Sequence, residues 1–166
     1  MRKLVRALVT CCASLALAAG PAAPAAIAQP NGVYLVESRI GDSTLLLTAG
    51  LPGSTVPVAS TSTSEGEQFW LVSRVTDQSW TIYDVLGEDY LGFDGGSGVT
   101  LGTQPYQWFI EEVTTANGGY SVIVVPDTSP RLVLTVADTA GATRPLSLTA
   151  DADQDSQHWQ LQSLSR

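Results

Sequence analysis

The chain has 166 residues and 16 acidic against 8 basic side chains, a formal charge of −8 at neutral pH. Such a balance excludes nucleic acid and anionic membrane as natural partners, since both are polyanions. The length allows one domain around one core.

The first segment reads as an address rather than as structure. Arg2, Lys3 and Arg6 form a basic n-region ahead of an apolar run over 7–19 that contains Cys11 and Cys12. A Pro/Ala stretch then ends in Ala26-Ile27-Ala28, an A-x-A cleavage pattern, so residues 1–28 are expected to be a signal peptide and the protein to be secreted. The apolar run is too short for a bilayer-spanning helix, which takes about 20 residues. Removal of 1–28 takes both cysteines with it, leaving 29–166 as one disulfide-free domain. Three of the eight basic residues leave as well, so five arginines face sixteen acids, a net of −11. Burial and backbone pairing alone must then hold the fold, a requirement that a closed barrel meets by removing exposed strand edges.

Beyond residue 28 no helical period with caps is found. Short runs rich in β-branched and aromatic residues alternate with Gly, Pro, Asp and Ser clusters. Val33-Tyr-Leu-Val-Glu37, Trp80-Thr-Ile-Tyr-Asp-Val85 and Tyr120-Ser-Val-Ile-Val-Val125 each follow a turn signal and are one element repeated three times. Second strands follow at 44–50, 89–95 and 131–137, third strands around 55–58, 98–101 and 144–148, and fourth strands led by Gln68, Gln107 and Gln157. Three repeats, about 31–74, 75–115 and 116–166, thus supply twelve strands. Trp70, Trp108 and Trp159 recur at spacings of 38 and 51 residues. Three four-stranded blades are too few for a propeller, which takes about 4–8, so closure about a pseudo-threefold axis is the better solution.

These features resemble the β-trefoil superfamily with its Gln-x-Trp repeats. Gln68-Phe-Trp70 and Gln157-His-Trp159 match strictly, whereas the middle copy is contracted to Gln107-Trp108 and its Gln is not expected to play the same part. The expected fold is all-β, a β-trefoil, with the three tryptophans as core rather than ligand platforms.

The residues offer little for catalysis. His158 is the sole histidine, sits inside a repeat signature, and by strand alternation points away from Trp159 toward solvent. No Gly-x-Ser-x-Gly elbow exists, no cysteine remains, and Glu111-Glu112 face opposite ways on one strand. Asp151-Ala-Asp-Gln-Asp155 begins like a calcium loop, but position six is Ser156 and position twelve is Gln162, so a turn is expected. A non-enzymatic chain without metal or cofactor follows, and a monomer is expected.

Two resemblances then point to partners. Ricin-B-like lectins read galactose with an Asp in a Cys-Leu-Asp-Val segment, a carboxylate suiting adjacent sugar hydroxyls. The matching position here holds Leu47, Gly92 and Leu134, so those three sites lack their anchor, and a glycan would have to bind elsewhere, near Tyr90, Phe93 and Asp94. The second repeat, with Trp80-Thr-Ile-Tyr-Asp-Val, Tyr90-Leu-Gly-Phe-Asp-Gly95 and Gln107-Trp-Phe-Ile, is similar to the fungal cospin-like serine protease inhibitors, as are the opening Asn31-Gly-Val-Tyr-Leu-Val and the closing Pro145-Leu-Ser-Leu. That resemblance implies inhibition of an extracellular protease through a preformed loop, which loses little ordering entropy on binding. The loop in question is Gly50, Leu51, Pro52, Gly53 and Ser54, with Arg39 and Arg131 as alternative bait residues. Inhibition is the preferred expectation, and carbohydrate binding the alternative.

Overall fold

Among the described residues, strand-forming runs and Gly/Asp turns condense into twelve strands, four per repeat, as the repeat pattern requires. The computed structural model describes residues 29–50, 54–61, 68–115 and 118–164; the expected signal peptide lies outside them. Repeat one holds β1 (Gly32–Ile40), β2 (Ser43–Thr48), β3 (Val58–Ser60) and β4 (Trp70–Arg74). Repeat two holds β5 (Trp80–Asp84), β6 (Tyr90–Phe93), β7 (Val99–Gly102) and β8 (Phe109–Thr115). Repeat three holds β9 (Gly118–Val124), β10 (Leu132–Val136), β11 (Thr143–Ala150) and β12 (Gln160–Ser163), with one 3₁₀ turn at Asp155–Gln157.

First and fourth strands build the barrel. β1 pairs β4, β4 pairs β5, β8 pairs β9, and β12 returns to β1 through Val36 opposite Leu161. Two single bridges, Trp80 with Trp108 and Ser121 with Trp159, join the remaining neighbours, so each barrel strand among the described residues meets another on both sides. The second and third strands of each repeat form hairpins that cap one end. Those caps are linked in a ring: Leu101 N–H donates to Thr55 at 2.8 Å, Leu148 N–H to Ser97 at 2.9 Å, and Ala59 lies opposite Arg144. This is the β-trefoil architecture.

Registers identify equivalent positions more sharply than sequence stacking can. Val72, Ile110 and Leu161 face Ile82, Ile123 and Val36, so these last three are one position in three copies, and all are buried. Two residues earlier stand Tyr34, Trp80 and Ser121, each opposite a signature tryptophan. The core at this level is thus aromatic in repeats one and two, and small in repeat three.

Candidate functional site

The repeat signatures turn out to be scaffold. Trp70, Trp108 and Trp159 are 0% exposed, so none offers a face to a ligand. Each indole N–H donates at 2.9 Å to a carbonyl of its own repeat's second strand, respectively Leu47, Leu91 and Leu134. Those bonds correct the alignment of repeat two: the position shared with Leu47 and Leu134 is Leu91, not Gly92. All three leucines are fully buried, so the segment that carries a sugar-reading Asp in ricin-type lectins is core here.

The two strict glutamines behave alike and the third does not. Gln68 Nε2 donates to Thr48 Oγ1 at 3.1 Å; Gln157 Nε2 donates to Thr149 Oγ1 and the Ala150 carbonyl at 2.9 Å and reaches Thr135 Oγ1 at 3.5 Å. Gln107 is exposed and only accepts a bond from Ser79 Oγ. Its contraction puts Tyr106 two residues before the tryptophan, in a repeat whose second strand has Gly92 where the others have Thr48 and Thr135. Tyr106 meets Trp108 and Phe93 edge-on, at 5.0 and 5.9 Å. An aromatic packing contact has replaced an amide–hydroxyl bond.

Of the expected inhibitory loop, Leu51, Pro52 and Gly53 lie outside the described residues. Its ends are held: Gly50 has φ +96°, where a Cβ would meet the Val56 carbonyl at 2.7 Å, and Ser54 Oγ bonds Val56 N–H at 3.1 Å. Neither alternative bait arginine stands alone. Arg39 Nε donates to the nearly buried Glu37 at 2.7 Å, and Arg131 contacts Glu111 at 3.1 Å and Asp151 at 3.5 Å.

Tyr90, Phe93 and Asp94 do not converge. Tyr90 and Phe93 are three apart on β6 and so take opposite faces; Tyr90 packs on Tyr83 at 4.8 Å, while Phe93 packs toward the core. The Asp94 carboxylate is occupied as a turn brace, accepting from Gly96 and Gly98 N–H at 2.8 and 3.0 Å.

A different constellation, unexpected from sequence, forms in repeat three. The core position taken by Tyr34 and Trp80 is Ser121 there, and the aromatic stands one residue earlier, at Tyr120. Strand alternation therefore turns it outward. There it stacks on His158, ring centroids 3.6 Å apart and planes within 18°. Contrary to the expectation of a solvated histidine, the His158 side chain is only 21% exposed. Asp153 ties the pair together, its Oδ1 accepting from Tyr120 Oη at 2.6 Å and lying 3.0 Å from His158 Nε2. The bond to Asp153 comes first, and burial second, in pushing the Tyr120 phenol up to about 12. The same two bonds, that of Tyr120 foremost, hold Asp153 below the usual carboxylate range.

The stretch resembling a calcium loop supplies one rigid wall of this site. Ala152 and Gln154 N–H both donate to Gln157 Oε1, at 2.9 and 3.3 Å, wrapping the turn around that buried amide. Asp151, Asp153 and Asp155 thereby turn to separate tasks: Asp151 meets Arg131, Asp153 meets Tyr120 and His158, and Asp155 opens the 3₁₀ turn.

Beside the stack lies an open cleft of about 320 Å³, bounded by the end of β1, Thr115 at the end of β8, Gly118 to Tyr120 at the start of β9, and the start of β12. It exists because β9 and β12 meet only at Ser121 and Trp159 and then separate, β9 pairing along β8 and β12 along β1. Glu37, Arg39, Tyr120, Asp155, His158 and Gln160 supply its polar lining, a mixture of donors and acceptors around an aromatic pair. Its volume is at the small end of the range for organic-ligand sites, about 300–1,000 Å³.

No family model matches the sequence, and no curated protein matches it either. Solved structures do. A designed threefold symmetric protein, ThreeFoil, superposes with a TM-score of 0.68 at 16% identity, over 81% of this chain and all of its own. A Macrolepiota procera ricin B-like lectin, solved with lactose, gives 0.66 at 17% identity over 82% of this chain and 98% of the lectin. The Polyporus squamosus lectin, solved with a sialylated trisaccharide epitope, gives 0.67 at 19%, over 83% of this chain and 51% of that one. At these identities the likeness is one of fold. Closed barrel, ring of caps, threefold registers and structural neighbours together make this chain a β-trefoil.

Proposed function

We propose that this chain is a secreted carbohydrate-binding module that takes its ligand in the cleft between β9 and β12. The observation that carries the reading is the Tyr120–His158 stack, fixed by Asp153 beside a cleft with both donors and acceptors on its rim. Sugars present apolar C–H faces and a fringe of hydroxyls, and an aromatic edge among carboxylate, amide and guanidinium groups answers both. The wall held by Gln157 is preorganised, so little ordering cost falls on binding. Lectins among the structural neighbours add support at the level of fold. Protease inhibition is the weaker reading: it rests on sequence motifs, and its preferred loop has its centre outside the described residues.

Glycan-array binding by the purified protein, followed by calorimetry on the best ligand, tests the proposal. Tyr120→Ala and His158→Ala should each weaken binding about tenfold or more, on the order of 1.4 kcal/mol. Unchanged affinity in both variants, with folding verified by tryptophan fluorescence, would move the site elsewhere. Slowing of trypsin, chymotrypsin, elastase, subtilisin or papain, in the absence of any glycan binding, would replace this reading with the inhibitory one.

A further inference from the structure

We infer that removal of residues 1–28 is itself a step in building the barrel: it frees an α-ammonium on Gln29 that sits at the barrel mouth as the ionic partner of Glu112. The inference rests on the expected cleavage after Ala28 and stands apart from the nature of the ligand.

The three residues beyond the cleavage point are all fixed. Gln29 is 7% exposed, and its carbonyl accepts from Trp80 Nε1 at 3.2 Å. The Pro30 carbonyl accepts from Tyr34 Oη at 2.7 Å, and Asn31 Oδ1 accepts from Arg74 N–H at 2.7 Å. Chain ends ordinarily fray unless tied down. Here the ties begin at the first residue of the processed chain.

These ties follow the threefold pattern. Tyr34, Trp80 and Ser121 are the equivalent inward residues near the start of β1, β5 and β9, and so ring the mouth at which those strands begin. Both aromatic copies reach the N-terminal segment with a polar atom. The third copy is small, and there Gln29, Ser121 and Trp159 line a cavity of about 270 Å³ that adjoins the ligand cleft at Tyr120. Gln29 thus lies at the place where the ring lacks its third aromatic.

Glu112 brings the opposite charge to that place. It stands opposite Ser121, and alternation from the buried Ile110 turns it to the mouth, whereas Glu111 meets Arg131 outside. Glu112 lines the same cavity, and among the described residues it makes no ion pair. No lysine, arginine or histidine lines that cavity, where the titratable side chains are Glu112 and Tyr120. A carboxylate drawn partly out of water is costly without a cation to meet it. Cleavage makes such a cation in the cavity wall, where the uncut chain has an uncharged peptide nitrogen.

The basicity of that amine tests the inference, in secreted protein whose first residue is read by mass spectrometry. The only lysine, Lys3, leaves with residues 1–28, so amine acylation reports on the N-terminus alone. A free α-amine titrates at about 7.7–8.0. Pairing with Glu112 favours the charged form, so at neutral pH the native amine should acylate about tenfold more slowly than that of Glu112→Gln. A form that keeps Ile27 and Ala28 should acylate as fast as Glu112→Gln. The stability that the pair adds is full below about pH 7.7 and is lost as pH rises through the higher folded value. The native protein's lead over Glu112→Gln in urea midpoint should therefore shrink on the alkaline side. Equal acylation of native and Glu112→Gln protein would overturn the inference. So would a first residue other than Gln29, or a Gln29 amine closed onto its own side-chain amide with loss of ammonia. Glycan binding enters none of these readouts, so failure here and failure of the carbohydrate reading stay distinct.

Discussion

Gln157→Ala offers the sharpest probe of how the repeats are held. The residue is 1% exposed, and its amide makes four bonds shorter than 3.4 Å: from Ala152 and Gln154 N–H, and to Thr149 Oγ1 and the Ala150 carbonyl. A typical intramolecular bond is worth about 0.5–1.5 kcal/mol net, and buried groups left unpaired cost about 1–3 kcal/mol each. Because the freed N–H groups lie on a turn that can open toward water, the loss should fall below the simple total, at about 3 kcal/mol. At about 2–4 °C per kcal/mol for a chain of this size, melting should fall by roughly 10 °C. Gln107→Ala is the internal control: same residue type, one position nearer its tryptophan than the strict signature glutamines, and exposed and bonded only to Ser79, so its cost should stay below about 1 kcal/mol. Urea unfolding followed by tryptophan fluorescence gives both numbers, since all four tryptophans are buried. Equal midpoints for the two variants would refute the claim that the strict signature works by pinning the turn through its amide.

Gly87→Ala should destabilise by at least about 2 kcal/mol, because its Cβ would lie 2.2 Å from Asp84 Oδ2, a buried carboxylate held by Leu86 and Gly87 N–H. In an Asp84→Ala background the same change should be far milder, and a double-mutant cycle showing additivity would contradict this. The Tyr120–Asp153 bond predicts a pH signature at both ends. Tyr120 is raised when folded, so its contribution is complete below about pH 10, the unfolded value, and is lost as pH climbs through about 12. Asp153 is lowered, so its contribution is present above about pH 3.9 and fades as pH falls through its lower folded value. Tyrosinate absorbance should lose its latest-ionising component in Tyr120→Phe; persistence of that component would assign it to another tyrosine.

Much of the scaffold was legible in the sequence because it is written in local periodicity. Alternating β-branched runs, turn residues and recurring tryptophans suffice to count twelve strands and three repeats, and full burial of Trp70, Trp108 and Trp159 follows from their bulk. Position-by-position equivalence was less accessible. One residue of contraction before Trp108 displaces every alignment made from motifs alone, and only the Trp108–Leu91 bond sets the register. That same contraction hides Tyr106 in a glutamine's place. The cleft was the least visible part, since Tyr120, Asp153 and His158 meet across 38 residues of chain, a long-range contact with no periodic signal. A trace did exist: the aromatic that occupies a core position in the first two repeats stands one residue early in the third, and alternation turns that single step into a side chain facing outward.

The meeting of β12 with β1 has a consequence for the order in which the fold can form. β12 is made after the eleven other strands of the trefoil, and its Leu161 lies opposite Val36 of β1. Until residues 160–163 emerge, β1 lacks one of its two barrel neighbours, and the chain cannot finish its circle however long it waits. Closure therefore waits on residues 160–163, and a chain stalled short of Gln160 keeps an open seam along β1. Loss of only the final strand residues should act less like trimming a tail than like leaving a ring unlocked.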